Sequence, residues 1–146
     1  MITWIGSSED RIISWRKYRQ LLEEMTLPDA VTSIEEVWTH CPCLKKLSID
    51  QNNSELWPGP WELMTNVAFC PLTQILGVFY TISLTTHSTH GVALEIFDDA
   101  ITSYYQVNIG NGKQIILLRN KQPVNTNLET RNNLQRFFWD NNRFYQ

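Results

Sequence analysis

Residues 90–118 read HGVALEIFDDAITSYYQVNIGNGKQIILL, and the spacing of their apolar residues decides what kind of fold the chain adopts. From His90 onward the apolar period is two: Val92, Leu94 and Ile96, then Tyr105, Val107 and Ile109 after the turn-like stretch DDAITS. That period puts each set on one face of a strand. Gly110-Asn111-Gly112 is a hairpin signal, and Ile115 and Leu117 continue the apolar face beyond it. Pairing Val92 with Ile109, Leu94 with Val107 and Ile96 with Tyr105 keeps the apolar residues together. Pairing Val107 with Ile115 does the same for the next strand. The expectation is a three-stranded antiparallel meander with one buried face. Glu95, Asp98 and Asp99 then read as a solvated strand end. On that reading Leu94→Asp unfolds the domain, whereas Glu95→Lys is nearly neutral.

The chain ahead of these strands reads as helical. Ser7 or Ser8 caps a helix starting near Glu9, with Glu9 and Asp10 in its first turn. Ile12, Trp15, Tyr18, Leu22 and Met25 follow at helical spacing. Leu27-Pro28-Asp29 reads as the stop, and Asp29 as the cap of a second helix through Trp38 that buries Val31, Ile34 and Trp38. Residues 39–60 form an irregular connector with Cys41-Pro42-Cys43, Gln51-Asn52-Asn53-Ser54 and Trp57-Pro58-Gly59-Pro60. Trp61 to Thr65 makes a short helical turn. Pro71 then opens a helix running to about Thr85, at the position where proline is best tolerated. A last helix is expected over Leu128–Trp139. Residues 1–146 are therefore read as a single α+β domain. Its N-terminal helices and a central helix pack on a three-stranded antiparallel sheet, and a C-terminal helix follows.

Composition excludes several functions. With hydrophobic residues at 42% and charged residues at 18%, the chain has material for a core and is not a disordered tract. A net charge of −3 gives no electrostatic footprint for nucleic acid. The basic run Arg16-Lys17-Tyr18-Arg19 is followed by Glu23 and Glu24, which makes it a solvated helix face. The apolar stretch from Ala68 to Leu84 is interrupted by polar residues and too short to span, so no membrane is implied. MITWIGSSEDR lacks the basic-then-apolar order of a secretion signal, and three cysteines without such a signal point to a reducing compartment.

Cys70 is the residue with the most chemical interest. A thiol at a helix start faces free backbone N–H groups and the positive end of the dipole, which favour the thiolate. His90 shares the parity of the buried strand residues and is the candidate base, with Asn111 opposite it as orienter and Asn108 as a weaker third member. Residues 66–118 resemble the transglutaminase-like and papain-like cysteine folds, in which cysteine on a helix precedes histidine on an antiparallel strand. That resemblance implies a small cysteine hydrolase or acyltransferase using Cys70, His90 and Asn111. The chain departs from the pattern in its short Cys-to-His spacing, in Pro71 directly after the cysteine, and in lacking an aspartate at the third position. The plainer reading is a buried structural thiol, since unpaired cysteine is among the most often buried residue types, and an enzyme is the lesser expectation. His40-Cys41-Pro42-Cys43 lacks the second knuckle of a zinc site, and His87 with His90 lacks an acidic partner. No metal and no cofactor are expected.

WPGPWELM (57–64) and FCPLTQILGVFYTISL (69–84), followed by a hairpin, resemble small proteins of tailed bacteriophages over roughly residues 30–118. This likeness implies a virion or assembly protein, located in the host cytoplasm and then in the particle, whose partners are other virion or assembly chains. Both ends of the chain are rich in large apolar residues: Trp4 at one, Phe137, Phe138, Trp139, Phe144 and Tyr145 at the other. Exposed aromatic clusters mark protein–protein contacts. These six residues are read as the interface, with the chain from about Asn141 lying against a neighbour and not on its own core.

Overall fold

The computed structural model describes residues 1–44, 49–66, 68–98, 103–118 and 134–146. In chain order it contains α1 (Ser8–Glu23), α2 (Leu27–Thr39), α3 (Pro60–Leu63), α4 (Pro71–Ser83), β1 (Val92–Asp98), β2 (Ser103–Ile109), β3 (Gln114–Ile116), β4 (Leu134–Asp140) and β5 (Arg143–Tyr145). The class is α+β, with helices on an antiparallel sheet. Ser7 caps α1 through a capping box: its hydroxyl accepts the Asp10 N–H at 3.1 Å, and the Asp10 carboxylate accepts the Ser7 N–H. Thr26 caps α2 by accepting the Asp29 N–H at 3.3 Å. Leu27-Pro28-Asp29, expected as a stop, is therefore the first turn of α2, where proline's missing N–H costs no helical hydrogen bond.

Helix α4 is surrounded. Every residue from Leu72 to Ile82 is buried, polar ones included, because α4 lies between α2 on one side and β1 and β2 on the other. Its polar side chains must then be satisfied internally. Thr81 meets this demand with one hydroxyl. It accepts the Trp15 indole N–H from α1 at 3.0 Å and the Trp38 indole N–H from α2 at 2.9 Å, and donates to the Gly77 carbonyl at 2.6 Å. Gly77 is required at that turn, since a β-carbon there would overlap the Trp38 ring. The N-terminal segment folds back onto the same helices. Arg11, buried, donates to the carbonyls of Met64 (3.0 Å), Gly6 (3.0 Å) and Thr65 (3.2 Å).

Among the described residues the sheet has five strands in the order β3-β2-β1-β4-β5. The β1–β2 register pairs Val92 with Ile109, Leu94 with Val107 and Ile96 with Tyr105, as the apolar period requires. Three expectations are corrected. The expected third strand is one residue out: Ile116, not Ile115, pairs with Val107, so Ile116 and Leu118 are buried while Ile115 faces outward. The tight Gly110–Lys113 turn adds one residue to the connection, and a one-residue shift exchanges the faces. The expected C-terminal helix is a strand over Leu134–Asp140, paired antiparallel with β1 through Leu94↔Phe137 and Ile96↔Gln135; residues 128–133 lie outside the described residues. Its inward side chains are Gln135, Phe137 and Trp139, and β1 gains a partner on its second edge. Asn141 and Asn142, both at positive φ (51° and 63°), make the hairpin turn into β5. Finally, His90 is not on a strand but ends a 3₁₀ turn, Thr86–His90.

Glu95 is the fourth correction. It is 2% exposed, not solvated. Its carboxylate accepts Gln106 Nε2 at 2.6 Å and Asn108 Nδ2 at 3.2 Å from β2, and Arg136 Nε at 2.6 Å from β4. The central strand is thus bonded to both neighbours through one side chain as well as through its backbone. Glu95→Lys removes the acceptor and sets two cations side by side, so we expect it to cost about 3–5 kcal/mol, comparable with Leu94→Asp. Urea unfolding of the two variants checks this, and a near-neutral Glu95→Lys contradicts the burial of Glu95 among its three donors.

Thr81→Val keeps the shape of the side chain and strands two buried indole N–H groups, for an expected loss of about 2–4 kcal/mol. Gly77→Ala, which helix propensity alone would favour by about 1 kcal/mol, is expected to destabilise because the Trp38 ring occupies the space. Thermal unfolding of both variants checks the signs.

Candidate functional site

Cys70 is the N-cap of α4, 1% exposed. Its backbone N–H donates to Thr73 Oγ1 at 2.8 Å, and the Thr73 hydroxyl lies 3.3 Å from Cys70 Sγ. A polar chain gathers at this end of the sheet. Tyr105 donates its hydroxyl to Gln51 Oε1 at 2.7 Å; Gln51 Nε2 donates to Asp98 Oδ1 at 2.9 Å and to Ser103 Oγ at 2.7 Å; Ser103 donates to Asp98 Oδ1 at 2.6 Å. Burial pushes the Tyr105 phenol up to about 12, and the neighbouring Cys70 and Asp98 act in the same direction. Its proton is held at neutral pH. These groups hydrogen-bond one another and fasten the connector to the sheet.

The structure does not bring Cys70 and His90 together. The thirteen residues of α4, at about 1.5 Å each, span roughly 20 Å. Cys70 begins that helix, whereas His90 lies seven residues past its end, exposed. Asn111 does fall near His90, as the register demands, because Gly110 N–H bonds the Gly91 carbonyl at 2.9 Å. Asn111 occupies the β2–β3 turn at φ 56°, and Asn108 is engaged with Glu95. The other histidines are committed elsewhere: His87 Nε2 donates to the Leu22 carbonyl at 2.8 Å and closes the end of α1, and His40 Nδ1 bonds Glu36 O at 2.8 Å. Among the described residues no three His, Cys, Asp or Glu side chains converge as a metal group, and no helix is long and apolar enough to cross a membrane.

The terminal aromatics divide into two sets. Trp4 packs edge-on against Trp38 and Phe69, at 4.9 and 5.7 Å between centroids. Phe137 and Phe144 each lie 5.0 Å from Trp57, Phe144 also contacts Phe79 and Tyr80, and Trp139 contacts Tyr80. These four belong to the protein's own core or its margin, so the chain from Asn141 onward is not held off the body: β5 returns Phe144 to it. Phe138 and Tyr145 differ. They are cross-strand partners on the outer face, ring-stacked at 5.8 Å and 36% and 53% exposed. Leu134 and Arg136 continue that outward row along β4. The apolar period puts Tyr105 on the buried face but does not identify Gln51 as the partner of its hydroxyl, the kind of partner a buried tyrosine usually has.

Compared with family models, with curated proteins and with solved structures, the chain finds no match in any of the three.

Cys70 is expected to alkylate slowly in the folded protein at neutral pH, and His90→Ala to leave that rate unchanged. Peptide mapping after timed iodoacetamide exposure reads both. Fast labelling of Cys70 that His90→Ala abolishes would restore the thiol–imidazole pair.

Proposed function

We propose that this protein is a structural or assembly component acting through contacts with other protein chains, in the host cytoplasm and then in the particle of a tailed bacteriophage. The observation that supports the contact role is the outward Phe138–Tyr145 stack with Arg136 beside it. Aromatic residues and arginine are the side chains that most often carry binding energy at protein interfaces. Here they are held ready: Arg136 is fixed by Glu95 at 2.6 Å, and the two rings are aligned by a hairpin only three residues long on its outer strand. A surface ordered before binding loses less conformational entropy on association. The phage setting rests on the resemblance of WPGPWELM and the LGVFYT helix.

Two measurements test the proposal. Mass spectrometry of purified particles from the encoding source is expected to detect the chain in stoichiometric amount, and its absence refutes the virion setting. Phe138→Ala with Tyr145→Ala is expected to lower the thermal midpoint by only about 3 °C or less, the worth of one exposed cross-strand pair. Incorporation into particles is expected to fall by about tenfold or more, as for the loss of interface anchors. A stable variant that incorporates normally rules out this surface.

A further inference from the structure

Cys41 and Cys43 remain outside the reading above, and their geometry assigns them a chemistry. Their sulfurs lie 4.0 Å apart, and Cys43 Sγ donates to the Cys41 carbonyl at 3.3 Å. Cys41 is 5% exposed, while Cys43 is open to solvent. The turn that carries them is held in place. Phe69 N–H donates to the Pro42 carbonyl at 2.8 Å, and Leu44 N–H to the Phe69 carbonyl at 2.7 Å, forming a parallel bridge between Cys43 and Phe69. Pro42 fixes its own φ, which narrows the conformations open to the pair. An accessible thiol beside a shielded one is the arrangement that thiol–disulfide exchange needs: the first takes the attack on a partner, and the second resolves the product.

We infer that Cys41-Pro42-Cys43 is a thiol–disulfide exchange site whose substrate is a small soluble disulfide of the glutathione type. The Cys43 thiolate attacks one sulfur of the disulfide, forms a mixed disulfide and displaces one thiolate. Cys41, giving its proton to solvent, then attacks Cys43 Sγ and displaces the second thiolate, closing the Cys41–Cys43 bond. The two cysteines lose two electrons and two protons, and the small disulfide leaves as two thiols. Closing the bond requires the sulfurs to move from 4.0 Å to about 2.05 Å, within reach of side-chain rotation with a small adjustment of the turn. Cys70, at 1% exposure beneath the start of α4, takes no part.

The test equilibrates the full chain with graded ratios of reduced to oxidised glutathione, quenches with acid, alkylates and maps the cysteines by mass. The wild type is expected to lose two alkylation sites together, in one peptide linked through Cys41 and Cys43, with Cys70 still alkylated. Cys41→Ser is expected to trap the intermediate, raising the fraction of glutathione-bound Cys43 by about tenfold or more, and Cys43→Ser to show no adduct. Cys41→Ala serves in place of the serine variant if the latter fails to fold. A wild type that accumulates the glutathione adduct at Cys43 without the internal bond overturns the proposal, as does one that does not react, or one in which Cys70 is oxidised with the pair.

Discussion

The Thr81 hydroxyl is the point on which the helical layer depends. A hydroxyl has one proton and two lone pairs, and here all three are used: the proton on Gly77's carbonyl, the lone pairs on the indoles of Trp15 and Trp38. One atom therefore sets the position of α1 and α2 relative to α4. Gly77, one turn earlier, leaves the space that Trp38 fills, so the same ring is fixed by contact on one side and by a hydrogen bond on the other. Trp38 in turn packs edge-to-ring with Trp4 and Phe69. The N-terminal segment and the entry to α4 are ordered through that cluster.

The sheet depends on a second buried polar group. Glu95 lies on the face of β1 away from α4, and its partners come from the strands on either side. The inner face is held by apolar packing of Leu94, Ile96, Val107 and Phe137. The outer face is held by a carboxylate with three donors. Because Arg136 is one of them, the outer row of β4 is tied to β1 by a side-chain contact next to the place where Phe138 and Tyr145 emerge.

The three cysteines show how little chain order says about chemistry. Cysteine at a helix start followed by histidine before a strand is the order of a cysteine enzyme. In this fold the thiol and the imidazole stand at opposite ends of the intervening helix, Cys70 as its N-cap and His90 in the turn that follows it. The pair that does meet, Cys41 and Cys43, is separated by one residue and meets for local reasons. A proline turn between two segments that are tied by backbone hydrogen bonds leaves its sulfurs few other positions.

Local rules in the sequence were sufficient for several elements, though not for the Gly110–Lys113 turn, whose extra residue shifts β3, nor for Thr26, which caps α2 where Leu27-Pro28-Asp29 reads as a stop. The cap of α1, the start of α4 at Pro71, and the β1–β2 register each depend on residues within one turn or one hairpin, and each was legible. Where the deciding partner is distant, the sequence was silent or misleading. Leu134–Asp140 carries apolar residues that fit either period, and it is a strand because β1 has a free edge to offer. Glu95 looks like a surface acid until Arg136, forty-one residues away, arrives beside it. Trp4 and Phe144 look like spare apolar groups until Trp38 and Trp57 supply the surfaces they cover. Composition and periodicity determined the class of fold and the identity of most buried positions, because burial follows apolar spacing. Only the tertiary structure decided which polar groups meet and which aromatic pair is left facing outward, since both depend on contacts between segments far apart in the chain.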